Sequence, residues 1–181
     1  MRGERLLFRN ISLEVVPGSV CLVAGPNGSG KSSLLRILAN LLRPAAGTVS
    51  GNDDLHHCGH LHALSAPLTL RANMAFWARL LDGSRIEEAA GALGLSHVLD
   101  VPTGALSAGQ RQRAALARLH LAPRPLWLLD EPTAALDADG EALVAGHIEK
   151  HTARGGLAVV ATHRMLNLSA PTSSLRLGEA E

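Results

Sequence analysis

The chain has 181 residues, 46% of them apolar and 18% charged, with a net charge of +1. These values exclude a disordered chain and point to one globular domain long enough to bury a core. Two cysteines make no disulfide framework, and with Lys31 and Lys150 the only lysines there is no basic run of the kind a nucleic-acid arm needs, so no nucleic-acid partner is expected. No apolar run approaches the ~20 residues of a membrane-spanning helix, and the opening Met-Arg-Gly-Glu-Arg lacks the apolar core of a secretory signal. The expectation is a soluble, cytoplasmic chain that docks on a membrane protein.

Leu6, Phe8, Ile11, Leu13 and Val15 alternate closely enough to predict a strand or hairpin arm over 6–16, closed by the Pro17-Gly18 turn. Val20 to Ala24 is a continuous apolar run, as expected of a strand buried on both faces, with Cys21 a small core residue. A helix is predicted from Gly30, its apolar face carrying Leu34, Leu35, Leu38, Leu41 and Leu42 and its end set by Pro44. Residues 44–66 read as loop with a short strand near Thr48 to Ser50. Helical patterns follow at 71–81, 84–94 and 108–121, then strands at 126–129, 157–161 and 173–177, with a helix over 138–151. The expected architecture is an α/β core with a parallel sheet, about residues 1–66 and 122–181, carrying a helical subdomain over about 67–121.

Gly25-Pro26-Asn27-Gly28-Ser29-Gly30-Lys31-Ser32 fits G-x-x-x-x-G-K-[ST], the loop that wraps nucleotide phosphates, here between a strand and a helix. Glycines let the backbone turn its N–H groups inward, and the helix start, with Ser32 and Ser33 in its first turn, aims free amides and a positive dipole end at the anion. Lys31 adds a point charge at the β/γ-phosphates, and the Ser32 hydroxyl suits Mg²⁺. The apolar strand Leu126 to Leu129 delivers Asp130 to the same Mg²⁺ shell, leaving Glu131 free to polarise the attacking water. These residues imply a nucleoside triphosphate and Mg²⁺ as ligands and hydrolysis of the triphosphate as the reaction, with ATP the nucleotide that the family resemblance below implies.

Leu106-Ser107-Ala108-Gly109-Gln110, between the phosphate loop and that strand, resembles the signature motif of ABC-type ATPases; alone it would read as a helix N-cap. The resemblance implies that Ser107, Gly109 and Gln110 meet the γ-phosphate held by a second ATPase chain, so that the working unit contains two. Leu136-Asp137 is similar to the family's D-loop at the dimer interface, and Thr162-His163 to its switch histidine, a catalytic role for His163. Two departures stand out. The aromatic residue that normally stacks on adenine has no counterpart near Arg2 to Arg5; either an arginine or apolar contacts replace it, or the reading frame begins further upstream. The glutamine of the family's Q-loop is missing from Cys58 to Leu64, where Leu61 stands nearest its position and His60 or His62 is a candidate replacement.

His56, His57, Cys58, His60 and His62 in that stretch also invite a metal or haem reading, against a solvated or subunit-facing loop. Within the family the chain most resembles the ATP-binding subunit of the haem exporter of cytochrome c biogenesis, through Glu4-Arg5-Leu6-Leu7-Phe8, Gly59-His60, Leu68 to Asn73, Leu106 to Arg113 with Ala117-Arg118-Leu119, Ala161-Thr162-His163, His151 to Gly156 and Leu166-Asn167. That implies a translocase ATPase lying peripherally on the cytoplasmic side of a bacterial inner membrane, bound to integral-membrane subunits and powering haem transport. An ATPase of another exporter (lipoprotein, peptide or drug) and a soluble ABC protein acting on nucleic acid or ribosomes are the alternatives. The 58–66 loop and region 69–121 are the expected partner-facing surfaces; Phe76-Trp77 belongs either to that surface or to the subdomain core.

Overall fold

The computed structural model describes residues 6–51, 53–164 and 166–178. Glu4, Arg5 and the Arg2 to Arg5 region lie outside the described residues. The described residues fall into two compact units, one drawn from Met1–His60, Pro125–Pro132 and Ala145–Glu181, the other from Leu61–Arg124 and Thr133–Val144.

The first unit is built on β1 (Val20–Ala24), α1 (Lys31–Leu38), β2 (Leu55–Cys58), β3 (Leu126–Asp130), β4 (Leu157–Ala161) and β5 (Thr172–Arg176). The strands form a sheet in the order β2-β3-β4-β1-β5, and every pairing is parallel. Central strands of such a sheet are covered on both faces, which is why they read as unbroken apolar runs; all of β3 is buried. The edge strand β5, Thr-Ser-Ser-Leu-Arg, is mostly exposed, its polar residues blunting the open edge. The core packs Cys21 and Val23 with Leu34 and Leu35 of α1, Leu128, Val159 and Leu177.

Residues 6–16 form no strand. Phe8, Ile11, Leu13 and Val15 pack on the core from a segment without a ladder; alternation needs one buried face, and a neighbouring strand is not required for that. No strand forms at 48–50 either; β2 comes later, in the histidine-rich stretch read as loop. Its register against β3 pairs His56 with Trp127 and Cys58 with Leu129, and alternation buries His56 and Cys58. α1 ends at Leu38, earlier than Pro44 suggests. Asn40 adopts φ +57, Asn40 N–H donates to Ile37 O and Leu41 N–H to Arg36 O, a Schellman end that leaves Leu41 exposed.

The second unit contains α2 (Leu70–Leu80), α3 (Ile86–Ala92), α4 (Ala108–Leu116) and α5 (Arg118–Leu121). Leu70, Met74, Leu93, Leu95 and Leu121 are fully buried there. The single helix expected over 108–121 is broken at Ala117, and α3 begins two residues later than its pattern because Arg85 holds φ +69 ahead of it. α6 (Ala138–Thr152) contributes its first residues to this unit and its last to the first. Among the described residues no helix is long and apolar enough to cross a membrane.

Candidate nucleotide site

Three adjacent parallel strands bring the candidate phosphate-site residues to one edge of the first unit. Register places Asp130 opposite Ala161, and Ala161 opposite Val23, so the carboxyl ends of β3, β4 and β1 lie in one row. Beyond that row the ladder continues: Glu131 N–H donates to Ala161 O at 2.8 Å and Thr162 N–H to Val23 O at 3.1 Å. The region outside the carboxyl ends of such strands is where open α/β sheets bind ligands.

The loop from Gly25 to Gly30 turns through three positive-φ glycines, Gly25 (+144°), Gly28 (+82°) and Gly30 (+104°). A Cβ on Gly25 would run into the Leu177 carbonyl oxygen, and one on Gly30 would lie 2.8 Å from the Phe8 ring. Phe8 is thus committed to packing under the loop. Pro26, Asn27 and Gly28 are exposed, Ser29 is buried, and α1 starts at Lys31 without a side-chain cap from Gly30, leaving its first amides available for an anion. Lys31 is buried, and its ammonium donates to Gly25 O at 2.7 Å and Pro26 O at 3.2 Å. Ser32 is exposed in the first turn and Ser33 half-buried beside it.

Asp130 is nearly buried at the end of β3, while Glu131 turns out of the strand at φ +50, uncommon for a residue with a Cβ. Its carboxylate Oε2 accepts from His163 Nδ1 at 2.9 Å. Glu131 is mostly covered and His163 mostly open to solvent. Ser32 and Asp130 supply hard oxygen donors, the kind that Mg²⁺ takes when it also binds substrate phosphates, so the residues fit that ion.

In the second unit Ser107 is the N-cap of α4. Its hydroxyl accepts from Gln110 N–H at 3.1 Å, and Gln110 Oε1 accepts from Ser107 N–H at 2.8 Å, a complete capping box. Arg111 donates to Leu106 O, fixing the residue before the cap. A Cβ on Gly109 would stand 3.3 Å from Ala135 O and 3.6 Å from Leu136, so this turn lies against the residues leading to Asp137. Asp137 caps α6, accepting from Gly140 N–H at 2.9 Å.

Among the described residues no group of three or more His, Cys, Asp and Glu is placed to hold a metal ion. The run from His56 to His62 is divided instead, with the first three residues in β2, His60 exposed, and His62 hydrogen-bonded to Gln112 at 2.9 Å. Phe76 is 59% exposed, whereas Trp77 is partly covered, its indole N–H donating to Ala63 O and the Arg118 guanidinium 5.0 Å above its ring. The Leu177 carbonyl that shapes the loop at Gly25 had no sequence signal, because it comes from the far end of the chain.

This strand–loop–helix with a second strand ending in two acids defines a P-loop nucleotide-binding domain. The family model described as "ABC transporter" matches residues 8–134. The chain is 44% identical to the cytochrome c biogenesis ATP-binding export protein CcmA of Rhizobium meliloti, over 95% of this chain and 91% of that protein. It is 45% identical to that of Rhodospirillum rubrum, over 95% and 80%. A Pyrococcus furiosus protein described as "Putative ABC transporter (ATP-binding protein)" has the same fold, with a TM-score of 0.80 and 22% identity over 92% of this chain and 88% of that one. The chain belongs to the ABC transporter ATP-binding family and, within it, to the CcmA-type export proteins of cytochrome c biogenesis. It is a nucleotide-binding subunit and an ATPase.

Proposed function

We propose that this chain powers a step of haem handling for cytochrome c assembly, as the ATP-hydrolysing subunit of a complex in a bacterial inner membrane. The observation that carries the reading is identity of about 44% along almost the whole chain with proteins named for cytochrome c biogenesis export. The chain lies on the cytoplasmic side, bound to integral-membrane subunits that provide the transport path. Exposed Leu61 on the 58–66 loop and exposed Phe76 and Leu80 in the 69–121 region are the proposed docking residues.

In the working complex Gly25 to Ser33 hold the phosphates of ATP, with Lys31 exchanging its loop carbonyls for the β/γ-phosphates. Ser32 and Asp130 would hold Mg²⁺, which would supply neutralisation of the phosphate charge. Glu131 orients and deprotonates the attacking water, and His163, through Nδ1, fixes the direction of its carboxylate. A second copy closes the site: Ser107, Gly109 and Gln110 of one chain face the γ-phosphate held by the other, with Asp137 at the interface of the pair. Purification of tagged chain from detergent-solubilised membranes tests this reading. Co-purifying multi-span membrane proteins with haem absorbance are expected; ribosomes or DNA in their place would overturn it.

A further inference from the structure

We propose that His62 is a positioning residue for the Ser107 turn, acting through Gln112. The inference rests on the role proposed above for Ser107. Within the second unit, the connection from β2 to α2 is fastened to chain on both sides of that turn. On the far side, the His62 imidazole meets Gln112 Oε1 at 2.9 Å, fifty positions away in sequence and near the middle of α4. On the near side, Ser65 O accepts from the Thr103 hydroxyl at 2.8 Å, while Ala66 O and Leu68 O accept from Gly104 N–H and Thr103 N–H, each at 2.9 Å. Thr103 and Gly104 lie in the 3₁₀ turn that leads directly into Leu106 and Ser107. Thr103 is 1% and Gln112 9% exposed, so both anchors are fixed by the packed unit rather than by solvent-facing side chains.

Between the two anchors, Ala63 adopts φ +54, a conformation that costs an alanine energy and persists where its surroundings over-determine it. What over-determines it is on either side: the His62 bond, and Trp77 Nε1–H donating to Ala63 O at 3.2 Å. The strap cannot shift at residue 62 without pulling on α4 at Gln112, and α4 carries Ser107 as its cap. The near-side ties are mostly to backbone and tolerate sequence change. The His62–Gln112 bond joins side chain to side chain and reaches α4 itself, and it sets the tilt of α4 against the strap.

Two variants of the full chain, His62→Ala and His62→Gln, test this by amide exchange and by steady-state ATP hydrolysis. The glutamine variant keeps an N–H donor for Gln112 Oε1. Expected for His62→Ala is amide exchange several-fold faster in segments 61–66 and 106–112, with 20–38 unchanged. Its kcat falls about five- to tenfold, the loss of one neutral hydrogen bond, while KM for ATP stays within about twofold. His62→Gln recovers most of both effects. Unchanged exchange at 106–112, an unchanged kcat, or a glutamine variant no better than alanine would each overturn the proposal. A wild-type chain without ATPase activity would remove the proposed function instead, and the exchange measurements would still decide whether the tether exists.

Discussion

At Gly25 two demands coincide: φ +144, and a carbonyl oxygen of Leu177 where a Cβ would stand. Gly28 has φ +82 with open space around its missing side chain. Gly28→Ala therefore costs about 1–2 kcal/mol of backbone strain, whereas Gly25→Ala adds a clash with main chain and costs more. Denaturant midpoints of the two variants should fall in that order, and a fluorescent nucleotide should bind Gly25→Ala the more weakly. Glu131→Gln keeps the shape of the site and removes the proposed base, so it should bind ATP while hydrolysis falls by about 10²–10⁴-fold; near-normal turnover in a phosphate-release assay would refute the assignment. That these residues would gather at one end of the sheet was legible because the loop pattern and the acid-ended strand restrict residue type and order. The Leu177 carbonyl and the Glu131–His163 bond were not, since both join segments distant in sequence.

Elements with one-sided chemistry were the legible ones. β1, β3 and β4 declare themselves as apolar runs, and the sheet is parallel as the alternation of strand and helix requires. β2 was missed because Leu-His-His-Cys looks like a ligand cluster; its pairing with β3 is long-range and leaves no trace in local composition. The 6–16 segment failed in the opposite sense, its alternation describing contact with a core but not a ladder. Two predictions belong to single elements. Ser107→Ala removes the cap of α4 and should cost about 1 kcal/mol of stability, read as a lowered thermal midpoint that Ser107→Thr largely restores. The C-terminal end of α6 stacks His151 on Trp127 of β3, centroids 3.9 Å apart and planes 6° from parallel. His151 Nε2–H donates towards Pro125 O and Leu157 O, at 3.1 and 3.3 Å. Burial holds this imidazole below its ordinary value of 6.5. The unfolded chain therefore takes up more protons once pH drops below about 6.5, and stability is lost from there downward. Denaturant midpoints measured from pH 7.5 to 5.5 should fall less steeply in His151→Phe, which keeps the stack and cannot titrate.

At the scale of the molecule, the phosphate loop, Asp130, Glu131 and His163 belong to the first unit, and Ser107, Gly109 and Asp137 to the second. On the proposed arrangement, in which a partner's second set completes the ATP site held by the first, one chain cannot work alone. Its two halves can also be damaged separately. Lys31→Ala disables phosphate capture and leaves the signature turn intact; Ser107→Arg does the reverse. Each variant alone should hydrolyse almost no ATP. Mixed in equal amounts in a symmetric pair, about half of the pairs are hybrids, and each hybrid retains one intact loop facing one intact turn. Independent sites would then restore about a quarter of wild-type turnover, because half of the pairs carry one of two sites. If loop and turn served each other within one chain, the hybrid would hold no complete site and mixing would restore nothing. Turnover of the mixture, measured against total chain concentration, separates the two arrangements, and its loss on dilution would report how tightly the two chains hold together without their membrane partners.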